Sequence, residues 1–310
     1  MMSPTTALSL PDYLQHMQMG SGYAAADIPC EICSSQSFSV IREAVEFQTD
    51  MWVQLQVVAC DCCGFLFQNP RFTADFYDAY YHSRYRRVLS GTDVPSESFI
   101  EDQIARGAHL YQHLSPFFAR PGKMLDVGCS SGGMMDAFLR NGWHAYGSDP
   151  DNDYVQYGLS RLHAPIAVQR AEDMVLEPHS YDLIVIAGSL EHVFDPNKVM
   201  AICRAAAAPN ALLLLEGRGL AQARQTGRCG HNHRRFLSAA SIELLMLKYD
   251  WEPIWVTDRE LCGPSRPQSI FGLGRARAKP DPEAFYASLG TYCQDAVDKQ
   301  RQLFTEWSIR

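Results

Sequence analysis

Long apolar runs are missing from these 310 residues, and none approaches the ~18 residues that a membrane span requires. No anchor and no membrane partner are therefore expected. The opening "MMSPTTALSLPDYLQHMQMG" also lacks a charged segment followed by an apolar stretch. No secretory signal is read there, and the expected compartment is the cytoplasm. Charge is sparse: charged residues make up 20% of the chain and the formal net charge is -8. That balance argues against a nucleic-acid coat while leaving room for local basic patches. Internal repeats and low-complexity segments are absent as well. The apolar fraction of 46% describes a packed globular protein, long enough for one domain and a smaller module.

Cysteine is what the chain does have, ten in all. In a reducing compartment these are thiols or metal ligands and not disulfides. Five of them fall in residues 28–70, a stretch with aromatic residues and the alternating "MWVQLQVVAC", in which Trp52, Leu55 and Val57 read as strand-like. Cys30 and Cys33 in "CEIC" and Cys60 and Cys63 in "CDCC" form two C-x2-C knuckles. Together they make the four thiolates of a tetrahedral structural zinc site. Cys62 lies inside the second knuckle and is expected to point away from the metal. Four cysteines leave no open coordination position, so this zinc shapes a module and does no chemistry.

The rest of the chain falls into four further regions. Residues 1–27 are expected to be a flexible arm or one short helix with little order, and 71–120 a helical connector or lid with Ile100, Ile104, Leu110 and Leu114 at near-helical spacing. In 121–280 short apolar strands alternate with helices, which predicts an α/β fold with a doubly wound, Rossmann-like, mostly parallel sheet. Residues 281–310 are expected to be a helical tail.

A glycine-bearing turn in "LDVGCSSGGMMDAFLRNGWHAYGSDPD" marks a ligand site at the carboxyl edge of that sheet. A dinucleotide fingerprint wants glycine where Ser130 stands, and Asp126 would sit awkwardly beside a pyrophosphate. Asp126 suits a ligand with an ammonium group, as S-adenosylmethionine has. Asp149, at the end of the next strand, can accept hydrogen bonds from ribose hydroxyls. With "SLEHVFDP" and "HNHRRF", these motifs make residues 28 to about 278 resemble the class I S-adenosylmethionine-dependent methyltransferases that carry an N-terminal zinc-binding segment. The resemblance implies that Asp126, Gly128, Cys129 and Gly132 surround the methionine end of the cofactor. It further implies that Asp149 holds the ribose, and that Ala171 with Glu172 edges the adenine.

"SLEHVFDP" follows the fourth core strand and so lies beside the methyl group. His192 can serve as general base and Glu191 can orient its ring or bind substrate; tying a loop to the next helix is the plain alternative for the pair. His231 and His233, in "GRGLAQARQTGRCGHNHRRF", compete for the base. Arg218, Arg224, Arg228, Arg234 and Arg235 in the same stretch suggest recognition of phosphate or carboxylate. In "FYDAYYHSRYRR", Tyr77, Tyr80, Tyr81, Arg84, Arg86 and Arg87 either lid the cofactor or pack module against sheet. The expected activity is methyl transfer to a small anionic metabolite, at oxygen by preference and at carbon otherwise. Methylation of RNA or protein through the zinc module is the alternative, although residues 28–70 hold only Arg42 as a strong base. A cofactor-binding partner subunit without activity is the other. The oligomeric state stays open.

Overall fold

A computed structural model describes residues 7–218, 229–267 and 269–293. Its centre is a seven-stranded sheet. Across it run Ile166–Val168, His144–Asp149, Lys123–Val127, Tyr181–Ala187, Ala207–Gly217, Ile270–Ala276 and Trp251–Thr257. The first five are parallel, whereas Ile270–Ala276 inserts antiparallel to both its neighbours. Continuous apolar runs such as "LIVI" in Tyr181–Ala187 are buried throughout, as strands covered on both faces must be. Chain order reverses between Lys123–Val127 and Tyr181–Ala187, so a crevice opens at their carboxyl ends. Among the described residues no helix is long and apolar enough to cross a membrane.

The helix Glu97–Leu114 covers that sheet beside the glycine turn. Ser96 caps it by accepting the Phe99 N–H, and Ile100, Leu110 and Leu114 are buried. The periodicity slips at Ile104, which is half-buried, while Gln103 and Arg106 are turned inward. Arg106 tolerates burial because it meets the fully buried Glu216 at 3.0 Å.

The N-terminal module is not a closed unit in sequence. Its four-stranded sheet runs Phe38–Arg42, Val57–Cys60, Leu66–Gln68 and then Arg235–Phe236, a strand donated by the segment after the fifth core strand. The expected single alternation over residues 51–60 is two strands, Met51–Val53 and Val57–Cys60, and the inward positions are Val53, Leu55 and Val57, with Trp52 half-buried. The region expected to be a loose arm or one short helix carries the helix Leu10–His16, capped by Ser9, and is more ordered than expected. Tertiary burial orders it: Tyr13 is fully buried against Phe47 and Phe72. Residues 71–120 contain the helices Ala74–Ser83, Tyr85–Ser90 and Glu97–Leu114, and Pro282–Cys293 is helical.

Candidate active site and metal centre

Both cysteine knuckles fold into the same turn. Ser34 N–H donates to Cys30 O and Gly64 N–H to Cys60 O, each at 2.8 Å. Ser34 and Gly64 take left-handed backbone, at φ 62 and 69, which glycine adopts without cost. The ligand atoms of Cys30, Cys33, Cys60 and Cys63 all lie within 4.8 Å of one another, with Cys30 to Cys63 and Cys33 to Cys60 at 3.5 Å. A zinc with bonds of ~2.3 Å needs sulfur separations of roughly 3.8 Å, so the four fit the ion. Cys62 is outside the cluster and half-buried.

At the carboxyl edge, Gly128 at φ 75 leaves room for the next loop: a Cβ there would stand 2.4 Å from that of Ser189. Ser189 in turn donates to Val127 O at 2.7 Å, so the glycine turn and the "SLEHV" loop are pressed together. Asp149 accepts the N–H groups of Ser130 and Asp151, at 2.8 and 2.9 Å, one on each oxygen. Each oxygen keeps a lone pair for a further donor. Ser130, where a dinucleotide site would have glycine, does take positive φ, at 55°.

Asp126 Oδ2, Ser130 Oγ and Ser131 Oγ are buried without a protein partner. Unpaired polar atoms of this kind call for a ligand, and a cationic one is favoured by the acids. Burial first, and Asp149 besides, push the Asp126 carboxyl up to about 7 against the pull of Arg106. S-adenosylmethionine, with its ammonium, sulfonium and ribose hydroxyls, fits these donors and acceptors. Cys129 and Gly132 line the same turn, with Cys129 buried against Gly147. Ala171 is buried, and Glu172 Oε1 is engaged by the N–H groups of Phe194 and Asp195, at 2.5 and 3.1 Å. Glu172 thus holds the end of the "SLEHVFDP" loop.

In the loop pressed against this turn, Glu191 and His192 come together with His233, one ligand atom of each within 4.8 Å of the others. Glu191 is fully buried and neither carboxylate oxygen has a partner. Burial, with Glu216 adding and Arg218 and Arg266 opposing, raises its carboxyl to about 7. His192 Nδ1 lies 3.0 Å from Asn232 O, and a carbonyl only accepts, so Nδ1 carries the proton and Nε2 is the basic nitrogen. Tyr81 Oη shares the Nδ1 side at 3.2 Å. Burial, His233 and Arg234 hold the imidazole of His192 well below its ordinary value; burial with Arg218 lowers His233 to about 3. Two histidines and a carboxylate can hold a metal ion by geometry. Arg218, Arg234 and Arg266 all bear on this cluster, and their charge favours an anion over a divalent cation there.

His231 is not part of this group. Its ring packs between Tyr13, Phe47 and Tyr80 in the N-terminal module, and burial lowers it to about 4. It is a core histidine and not a catalytic candidate, because the bridge of Gly230 to Glu46 and its own N–H, given to Glu46 O at 2.8 Å, hold it on the module side and not at the sheet edge. The expectation of an anion-binding run of arginines is corrected in part. Arg235 is fully buried and spent on Glu31 and on backbone carbonyls, and Arg234 is buried over the Tyr77 ring at 3.9 Å. Arg224 and Arg228 lie outside the described residues. Arg266 and Arg106 carry no motif signal, whereas Glu216 carries one, as a polar residue closing the apolar run "ALLLL". In the tyrosine-rich segment, which forms the two helices Ala74–Ser83 and Tyr85–Ser90, packing is what the side chains display. Tyr77 and Tyr80 are buried packing residues, whereas Tyr81 and Tyr85 face His192 and Arg86 pairs with Asp151 at 2.5 Å.

Comparison with known proteins agrees with this geometry. Residues 99–255 match the family described as "Methyltransferase domain". The chain is similar to proteins named ubiquinone biosynthesis O-methyltransferase, with 33% identity over 102 residues to the one of Hahella chejuensis, covering 30% of this chain and 42% of that one. For Photorhabdus laumondii the identity is 35% over 89 residues, covering 26% and 36%. The chain thus spans less than half the length of these relatives. Among solved structures it is similar to Burkholderia thailandensis 1,6-didemethyltoxoflavin-N1-methyltransferase, with TM-score 0.51, 15% identity, and coverage of 76% of this chain and 99% of that one.

Proposed function

Because the chain belongs to the methyltransferase-domain family, we propose that it is an S-adenosylmethionine-dependent methyltransferase acting on a small, anionic acceptor, with oxygen the preferred atom. The observation that carries this is the split polarity of one crevice, with Asp126 and Asp149 at the glycine turn and Arg218 and Arg266 around Glu191, His192 and His233. Bound S-adenosylmethionine supplies an electrophilic methyl group. Asp126 and Asp149 bind and orient it, His192 Nε2 takes a proton from the acceptor, and Arg218 and Arg266 hold the acceptor's negative charge. The names of the ubiquinone O-methyltransferase relatives support oxygen. The test is a mass screen: purified protein, S-adenosylmethionine and a panel of phenolic and carboxylic metabolites, expecting one of them to gain a methylene's mass. Turnover confined to RNA or protein substrates would reverse the assignment.

For the cofactor, Asp149→Ala is expected to weaken S-adenosylmethionine and S-adenosylhomocysteine alike by about 1.5 to 3 kcal/mol in calorimetry, the usual worth of a hydrogen bond to a charged group. Tight NADH binding with no adenosyl binding would contradict the choice of ligand. For the metal, purified protein should hold one zinc per chain, retained in Cys62→Ser and lost in Cys33→Ser. Equal retention in both variants, measured by plasma emission, would remove Cys33 from the ligand set.

A further inference from the structure

Glu31 stands inside the first knuckle, between two of the clustered cysteines, yet its side chain leaves them. It is buried and reaches two guanidiniums: Arg235 binds both of its oxygens, at 2.6 and 2.5 Å, and Arg71 binds one at 2.8 Å. These arginines do not stop there. Arg235 Nη1 donates to Leu190 O and Val193 O, at 3.3 and 2.6 Å, and its Nη2 to Phe194 O at 2.9 Å. Arg71 Nη2 donates to the same Phe194 O at 3.0 Å. The carbonyls so held flank Glu191 and His192 on both sides.

The histidine of the other segment is held from the module as well. Gln68 Nε2 donates to His231 O and His233 O at 2.9 and 2.8 Å, and Arg234 N–H donates to Glu191 O at 3.1 Å. From the knuckle's own backbone, Glu31 O accepts Lys248 Nζ at 2.7 Å, and that ammonium also meets Asn197 Oδ1 at 2.8 Å, at the start of the helix that follows the loop. A guanidinium with its donors divided between a carboxylate and several carbonyls is a rigid spacer, because its fork is planar. Its position follows the carboxylate, and the carboxylate follows the tight knuckle turn.

We infer that Glu31 is a positioning residue: through Arg235 and Arg71 the cysteine knuckle sets the placement of the loop carrying Glu191 and His192, so that the metal-binding module governs methyl transfer without touching either substrate. The inference rests on the methyl-transfer reading of that loop. It gives the module a task other than binding a macromolecule, and it explains why the segment after the fifth core strand is shared between module and active site.

The test is Glu31→Gln in the full chain. Gln keeps the volume and one acceptor oxygen but loses the charge and the two-sided grip on Arg235. Expected are wild-type zinc content and wild-type affinity for S-adenosylhomocysteine in calorimetry. Amide hydrogen exchange over residues 189–195 should be faster, and kcat lower by roughly 10²-fold with the KM for S-adenosylmethionine unchanged, since a displaced base harms alignment and not cofactor binding. Unchanged exchange over 189–195 in a zinc-loaded variant would overturn the inference. So would loss of zinc with faster exchange throughout, which marks a structural residue only. If the wild-type protein transfers no methyl group to any acceptor, the functional reading fails and the exchange measurement alone decides on Glu31. Should Glu31→Gln not fold, Arg71→Gln, which cuts one arm, is read by the same zinc, exchange and kcat criteria.

Discussion

His192→Ala is expected to lower turnover by roughly 10² to 10⁴ while leaving affinity for S-adenosylmethionine nearly intact, because a general base acts in the transition state and not on the adenosyl group. The pH profile should carry a second mark. With Nδ1 donating to Asn232 O and the ring held well below its ordinary 6.5 by burial, His233 and Arg234, the base is already neutral at pH 7. Activity requires that neutral form, so His192 should contribute no rise in rate above pH 6.5 and a fall only on the acid side, through the lowered value; the Glu191 carboxyl, raised to about 7, is separated by measuring the profile in Glu191→Gln. A rate that climbs through 6.5 in that variant would place the base on a differently exposed group. His233→Ala, with its ring 4.9 Å from that of His192, should also impair turnover, whereas His231→Ala should lower stability and spare the turnover of the folded fraction. If His192→Ala stays near wild type at saturating cofactor, the acceptor arrives already ionised and "SLEHV" is scaffold.

Arg235→Ala should cost about 3 to 5 kcal/mol of stability, the range for removing one partner of a buried ion pair. Arg235 is fully buried and Glu31 would keep only Arg71, while Leu190 O and Val193 O would lose their donor. The check is denaturant unfolding followed by tryptophan fluorescence. A midpoint near that of the wild type would show that water or Arg71 takes over. Arg235→Lys restores the charge but not the fork, so it should recover only part of the loss.

Much of the fold was legible along the chain because its signals are local. Apolar runs separated by helical stretches specified the parallel sheet, and the spacing of Cys30, Cys33, Cys60 and Cys63 specified a cluster whose sulfur atoms do meet. The glycine turn, Asp126 and Asp149 were readable for the same reason: a strand end, a turn and a helix start are neighbours in sequence before they are neighbours in space. The order of residues 7–27 was not readable, since Tyr13 is ordered by partners such as Phe47 and Phe72 that come much later.

What the sequence determined alone, then, is the alternation of elements, the two knuckles and the acids of the glycine turn, each set by interactions a few residues apart. Tertiary structure alone decided the roles of the histidines and arginines. His231 and His233 are two residues apart, yet the turn between the Glu46–Gly230 bridge and the strand at 235–236 sends one into the aromatic core and leaves the other beside His192. Arg235 and Arg218 carry the same charge, but one meets Glu31 across 204 residues of chain and the other is left at the crevice. Such pairings follow from which surfaces bury one another. A guanidinium buried against a carboxylate becomes structure, and one left half-buried beside Glu191, His192 and His233 keeps its charge at the crevice.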